Sequence, residues 1–258
     1  MAPETTSAGG ARLRRKASRN TPDPEPTDNH LLAGLHETAR QRLFPRLKLV
    51  ELPLGEVIYE GGQDIRQVYF PVDCIVSLLY VMENGASAEI SVVGNEGIVG
   101  VTVLLGGNST PSRSVVQSGG WAYRLGSSHL RSDFLDDPDV RLVMLRYTQA
   151  LITQMAQTAV CNRHHSIDQQ LCRWLLLSLD RLPSNRLTMT QELISNMLGV
   201  RREGVTEAAG RLQRLGVIRY RRGLIIVNDR PALEKLSCEC YEVVRRETDR
   251  LRGYRAGP

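Results

Sequence analysis

Between about Leu47 and Leu125, apolar residues come in short runs cut by turn residues. Glu56-Val57-Ile58-Tyr59 precedes Gly61-Gly62, and Gln67-Val68-Tyr69-Phe70 precedes Pro71-Val72-Asp73. Ile75 to Met82 ends at Glu83-Asn84-Gly85, and Ala88 to Val93 ends at Gly94-Asn95. Short, closely spaced strands with Gly/Asn turns predict an antiparallel sandwich or barrel. Asn84-Gly85 predicts a tight hairpin, because both residues tolerate φ > 0. After Asp136-Asp137-Pro138 the pattern turns helical, with no Gly or Pro from Asp139 to Leu182. Leu145, Ile152, Met155 and Ala159 fall near a seven-residue repeat, with Leu142, Tyr147 and Leu151 beside them. This predicts a long helix whose stripe serves as a seam between two subunits, in preference to packing only on its own barrel. Polar residues from Arg163 to Ser166 interrupt the seam. A second helix, Ile167 to Leu182, turns Leu171, Trp174, Leu175 and Leu179 inward, and Pro183 ends it.

The segment from Thr190 to Leu212 reads as a helix, a glycine turn and a second helix. Thr188 or Thr190 can cap the first helix, and Thr188-x-x-Gln191 fits a capping box. Gly199 supplies the left-handed residue of the turn. In the second helix Val205, Ala208, Ala209, Leu212 and Leu215 make the buried stripe. The other face presents Arg202, Glu203, Thr206, Glu207, Gly210 and Gln213. Gly204 costs roughly 1 kcal/mol of helix stability against Ala, a loss that close approach to a phosphate or a neighbouring helix would explain. Val217 to Tyr220 and Leu224 to Val227 are two strands joined through Arg221-Arg222-Gly223, a hairpin with a cationic tip.

Charge sharpens this reading. The chain carries +5 overall, but residues 30–137 hold 8 Lys+Arg against 12 Asp+Glu. Residues 201–222 hold 7 Arg against 2 Glu. Basic charge concentrated on a helix-turn-helix and a hairpin tip predicts double-stranded DNA as the partner of that end. Thr190, Arg201, Arg202, Glu203, Thr206, Glu207, Arg221 and Arg222 are the candidate DNA-binding residues.

With these residues in view, the order of β-roll, long helix and winged helix resembles the Crp/Fnr transcription regulators from about residue 30 to 245. The stretch Leu193-Ile-Ser-Asn-Met-Leu-Gly-Val-Arg-Arg-Glu-Gly-Val-Thr206 is the most specific part. The resemblance implies a homodimer on a near-palindromic operator, working with RNA polymerase and controlled by a small-molecule effector. It places Arg202-Glu203 where the family reads G·C pairs. Glu207 stands where members often carry a second base-reading arginine.

The resemblance also implies a cyclic-nucleotide-binding-like roll. Arg113 and Ser114 fit the phosphate positions of an effector pocket. Val101 follows Gly100 where the family's ribose carboxylate would stand, and Ser112 is inserted between Pro111 and Arg113. A standard cAMP site is therefore not expected, and a cyclic-nucleotide-responsive regulator is the alternative. No cofactor and no metal are expected. Residues 1–73 hold no cysteine for an iron–sulfur cluster, and Cys74 and His129 are the only soft candidates for haem in the roll. Cys161 with His164 or His165 invites a metal reading, but two more ligands are not evident. Cys238 and Cys240 read as reduced packing residues. A ligand-binding or enzymatic roll without DNA binding is the rival class, weakened because residues 45–125 contain no histidine.

The expected fold is α+β: a disordered arm (1–28), a jelly-roll-like antiparallel β-roll (29–137), and a dimerisation helix with its hinge (138–164). A winged helix-turn-helix (165–245) and a flexible tail (246–258) complete it. A cytoplasmic, non-enzymatic protein is expected. The first twenty residues lack the apolar run of a secretory signal, and no stretch is long enough to span a membrane.

Overall fold

The computed structural model describes residues 23–253, so most of the expected N-terminal arm and residues 254–258 lie outside the described residues. Two short helices, α1 (His30–Ala33) and α2 (Glu37–Leu43), lead into the roll. Its strands are β1 (Lys48–Leu52), β2 (Val57–Tyr59), β3 (Gln67–Pro71), β4 (Ile75–Val81), β5 (Ser87–Val93), β6 (Arg113–Ser118) and β7 (Gly120–Gly126). They form two antiparallel sheets, ordered β1-β7-β3 and β2-β6-β4-β5. The β4–β5 turn differs from the expected two-residue hairpin. Met82 N–H bonds to Ala86 and Gly85 N–H to Met82, which leaves a three-residue loop in which Gly85 alone has positive φ. Asn84 instead accepts a hydrogen bond from Ala86 N–H, a local side-chain bond typical of turns.

Helix α3 (Ser127–Asp136) joins the roll to α4 (Pro138–His164). Asp137 caps α4 by accepting from the N–H groups of Asp139 and Val140, and Pro138 fills the first position, where no N–H is needed. One face of α4 seats Val140, Met144, Tyr147 and Leu151 in the core of the roll. After the break at His165-Ser166 come α5 (Ile167–Leu179), β8 (Arg186–Thr188), α6 (Gln191–Leu198), α7 (Arg202–Arg214), β9 (Ile218–Arg221), β10 (Leu224–Val227), α8 (Arg230–Leu236) and α9 (Glu239–Gly253). A third sheet, β8-β10-β9, adds a strand to the expected hairpin.

Two expectations fail at the ends of elements. The flexible tail expected from residue 246 is helical through Gly253, because α9 packs back along α4. Val244 and Leu251 are buried, and Gln149 of α4 bonds Glu247. Leu215, placed in the buried stripe of α7, is 64% exposed because it lies beyond the last turn, at the helix cap.

The roll and the C-terminal elements share one core. Ile75, Leu79 and Val92 of the roll cluster with Leu171, Trp174 and Leu175 of α5 and with the interior of α6 and α7. A buried polar chain crosses the same boundary. Trp174 donates to Glu89, Ser77 Oγ lies 2.5 Å from Glu89 and 2.9 Å from Gln117, and Gln117 donates to Ser178. Arg181 reaches Glu96 of the roll at 2.8 Å and Gln154 of α4 at 3.1 Å.

Candidate nucleic-acid interface

Thr190 caps α6 by accepting the N–H of Leu193, while Thr188 lies in β8 and plays no capping part. Gly199 takes the left-handed conformation (φ 66°) that turns the chain from α6 into α7. Gly204 faces Ile167 of α5 so closely that a Cβ would stand 2.7 Å from Ile167 Cδ1. Close approach to a neighbouring helix, not to a phosphate, accounts for this glycine. With Val205, Ala208, Ala209 and Leu212 buried, α7 is anchored on one side and its other face is left in solvent.

That outer face carries Arg201 at the N-cap, then Arg202, Glu203, Thr206 and Glu207, all exposed. The Thr206 hydroxyl lies 2.9 Å from Gln191 Oε1 and so ties the second helix to the first turn of α6. Arg221 pairs with Leu224 across β9 and β10, leaving Arg222 (φ 51°) and Gly223 (φ 78°) as a two-residue turn. Positive φ at both central residues is the type I′ geometry that suits the twist of a tight hairpin. Met189 N–H bonds to Gly223 and Tyr220 Oη donates to Met189, so the wing tip is held beside the start of α6. Gln213 of α7 accepts the N–H of Tyr220, which fixes the wing against α7.

The arginines of this region divide into two sets. Arg211 makes a two-point ion pair with Asp168 and a longer one with Glu207 (3.7 Å). Arg230 is held by Asp180 and Glu234. Among the described residues, Arg201, Arg202, Arg221 and Arg222 have no acidic partner, so their guanidinium groups face solvent uncompensated. Glu207 is drawn toward Arg211 instead of screening them. The Arg211–Asp168, Gln191–Thr206 and Gln213–Tyr220 pairings escape sequence reading, because each joins residues at least seven positions apart.

The two effector-pocket candidates lie side by side on β6. Arg113 is half buried and pairs with Glu60 at 3.1 Å through a terminal nitrogen, while its Nε is buried without a hydrogen-bond partner. Ser114 is buried on β6. The interior of the roll is filled by Tyr59, Ile65, Val68, Ile98, Val99 and Leu125. A cleft of about 520 Å³ lies instead between α1, α4 and α9, bordered by His30, Arg40, Arg146 and Arg252. That volume lies within the usual range for a small-molecule site.

On α4, Leu145 (45% exposed), Ile152 (60%) and Ala159 line up at heptad spacing on a face that neither the roll nor α9 covers. Met155, expected in the same seam, is only partly buried and leans into the core of the roll. At the foot of α4 the metal expectation is overturned in its premise. Cys161 and His165 meet two further candidate ligands, Cys238 and Cys240, while His164 is exposed.

These features define a winged helix-turn-helix carried on a β-roll and a long helix. Residues 169–236 match the Crp-like helix-turn-helix domain. FixK2 from Bradyrhizobium japonicum superposes with a TM-score of 0.62 at 17% identity, covering 74% of this chain and 98% of its own. The CRP family transcriptional regulator TTHB099 from Thermus thermophilus gives 0.62 at 18%, covering 73% and 96%. The c-di-GMP responsive regulator CLP from Xanthomonas campestris gives 0.59 at 12%, covering 74% and 99%. No curated protein matches the sequence. The chain thus carries a Crp-like helix-turn-helix domain on the fold of Crp/Fnr transcription regulators. Among the described residues, no helix is long and apolar enough to cross a membrane.

Proposed function

We propose that the protein is a homodimeric, sequence-specific transcription regulator that acts by binding DNA, not by catalysis. The observation that carries this reading is the set of exposed arginines without acidic partners on the first turn of α7 and the wing tip. Arg202, Glu203 and Thr206 read base edges in the major groove, with Arg201 and Glu207 at the border of the contact. Thr190, Arg221 and Arg222 hold the sugar-phosphate backbone. Leu145, Ile152 and Ala159 pair with the same residues of a second copy, a two-fold arrangement that suits half-sites about one helical turn apart. The exposed heptad on α4 supports the second copy as occupant, because an α4 pair extends along the helix without disturbing the roll. Residues 29–137 serve as the sensor, 138–164 as the dimer helix and 165–245 as the core of the DNA reader. Contact with RNA polymerase and a cytoplasmic location follow from this role.

The sensor is not a standard cAMP pocket. Val101 replaces the ribose carboxylate, Glu60 occupies Arg113, and apolar side chains fill the roll. The general reading is tested by titrating random duplex DNA at several salt concentrations. Affinity should fall steeply as salt rises, since each phosphate contact releases counterions. Affinity that is absent at low salt, or independent of salt, would sink it.

A further inference from the structure

The end of α4, the break after it and the α8–α9 junction bring together four residues far apart in sequence. The ligand atoms of Cys161, His165, Cys238 and Cys240 all lie within 4.8 Å of one another. Cys161 Sγ is 3.6 Å from Cys238 Sγ, and Cys240 Sγ is 3.6 Å from His165 Nδ1. Zinc–sulfur and zinc–nitrogen bonds at tetrahedral angles set neighbouring donors roughly 3.5–3.8 Å apart. The cysteines are buried and reduced, and among the described residues they form a small cluster of their own, separate from the main apolar cores.

The surroundings fit as well as the donors do. With Nδ1 turned to the cluster, His165 points Nε2 at Glu239 Oε1, 3.4 Å away. A carboxylate on the far nitrogen fixes the tautomer and raises the basicity of a metal-bound imidazole. Gln170 donates to the His165 carbonyl at 2.9 Å and holds the break in place. Arg173, buried in α5, donates to Thr158 Oγ1 of α4 at 2.6 Å near this end of the helix. Its Nε has no hydrogen-bond partner.

We propose that Cys161, His165, Cys238 and Cys240 form a Cys₃His zinc site that fastens the foot of α4 to the α8–α9 junction. On binding, three thiols lose their protons to solvent, His165 donates its neutral Nδ1 lone pair, and the site keeps a net charge of −1 that Arg173 offsets. Four protein ligands complete the tetrahedron, so the site is structural and leaves no open position for catalysis. Its place matters because the chain passes from α4 to the DNA reader at His165. A bound metal therefore sets the angle between the dimer helix and the helix-turn-helix.

The test uses the full chain purified under reducing conditions without chelator. After incubation with zinc and buffer exchange, elemental analysis should find one zinc per chain. A thiol reagent with peptide mapping should then modify Cys161, Cys238 and Cys240 faster once a chelator is added, while the reaction of the buried Cys74 and Cys172 stays unchanged. Cobalt(II) in place of zinc should give the intense visible bands of tetrahedral coordination and thiolate-to-metal charge transfer. Cys238→Ser and Cys240→Ser should lose these signals, His165→Cys should keep them with altered charge transfer, and Cys74→Ala should not change them. Wild-type protein without stoichiometric zinc and without a tetrahedral cobalt spectrum would overturn the site. So would a Cys161–Cys238 disulfide that survives reduction and blocks both metals. Because cobalt and thiol protection are read on the wild type, a variant that fails to fold does not shelter the proposal.

Discussion

The proposed DNA-reading end and the β6 strand of the roll both present arginine, in opposite electrostatic states. At the reader, Arg202 and Arg222 stand on a helix start and a hairpin tip with no acidic partner among the described residues. In the roll, Arg113 meets Glu60 at 3.1 Å. An uncompensated guanidinium attracts phosphate from solution, whereas a paired one must first give up its carboxylate. The comparison teaches that residue type at a family position is weak evidence of ligand binding until its partners are known.

The largest effect is expected from the element that links the two regions. Ile152→Asp puts a charge into the proposed α4 seam at a position already 60% exposed in the single chain. Folding should therefore survive while the dimer separates, and operator affinity should fall by at least about 100-fold as one half-site is lost. Light scattering and DNA titration read both quantities. A dimer that persists with full affinity would move the subunit contact elsewhere.

At the reader itself, Arg202→Ala should weaken binding to the preferred site by about 1–3 kcal/mol and relax its base preference. Arg222→Ala should lower affinity for all sequences alike and reduce the salt slope by about 1. Equal losses on specific and random DNA for both variants would show that the assigned roles are wrong.

Where the two regions touch, protonation gives a subtler handle. Burial pushes the Glu89 carboxyl up to about 7, against the downward pull of Ser77, Trp174, Arg173 and Arg181. The hydrogen-bond chain agrees with a neutral acid. Ser77 has one hydroxyl proton but two acceptors within reach, Glu89 and Gln117. If Glu89 donates to Ser77, then Ser77 can donate to Gln117, and every group in the chain is satisfied. A carboxyl whose pKa is raised on folding binds more protons folded than unfolded. Stability contributed by neutral Glu89 is thus complete below its ordinary 4.5 and is lost as pH rises toward 7. The melting temperature should fall across that window, and Glu89→Gln should flatten the fall. An unchanged pH profile in the variant would acquit Glu89.

How much of this was legible in the sequence follows the range of the interactions. The strand runs, the proline start of α4 and the turn at Gly199 are set by residues within a few positions of each other and read correctly, whereas local pattern left both Thr188 and Thr190 open as the cap that Thr190 supplies. The type I′ wing turn is likewise local. What did not read is tertiary. Glu89 looks like a solvent-facing strand residue, yet the register shift opposite Leu78 and Leu79 helps aim it inward. The return of α9 along α4 gathers Cys238 and Cys240 beside Cys161 and His165, about 75 positions away. The one available hint was the apolar spacing of Tyr241, Val244 and Leu251, which continues a helix past residue 246. The fold and the elements of the candidate interface were therefore accessible from local pattern, whereas the cysteine cluster and the filled roll required the packed chain.

The smallest effect separates the two arginine populations most directly. Arg113→Ala removes a half-exposed ion pair with Glu60, whose side chain is itself mostly in solvent. Such pairs contribute about 0–1 kcal/mol, so the melting temperature should move little. DNA affinity and its salt slope should stay the same, because Arg113 lies on the roll and the reader's arginines are untouched. The stronger requirement concerns cyclic nucleotides. If Glu60 already occupies the guanidinium, added cAMP should not raise the melting temperature of the wild type, and Arg113→Ala should leave that null response in place. Stabilisation of the wild type by cAMP that disappears in the variant would restore Arg113 as a phosphate ligand. It would also mean that the Glu60 pair opens on binding, and the contrast between the two regions would then be one of occupancy, not of design.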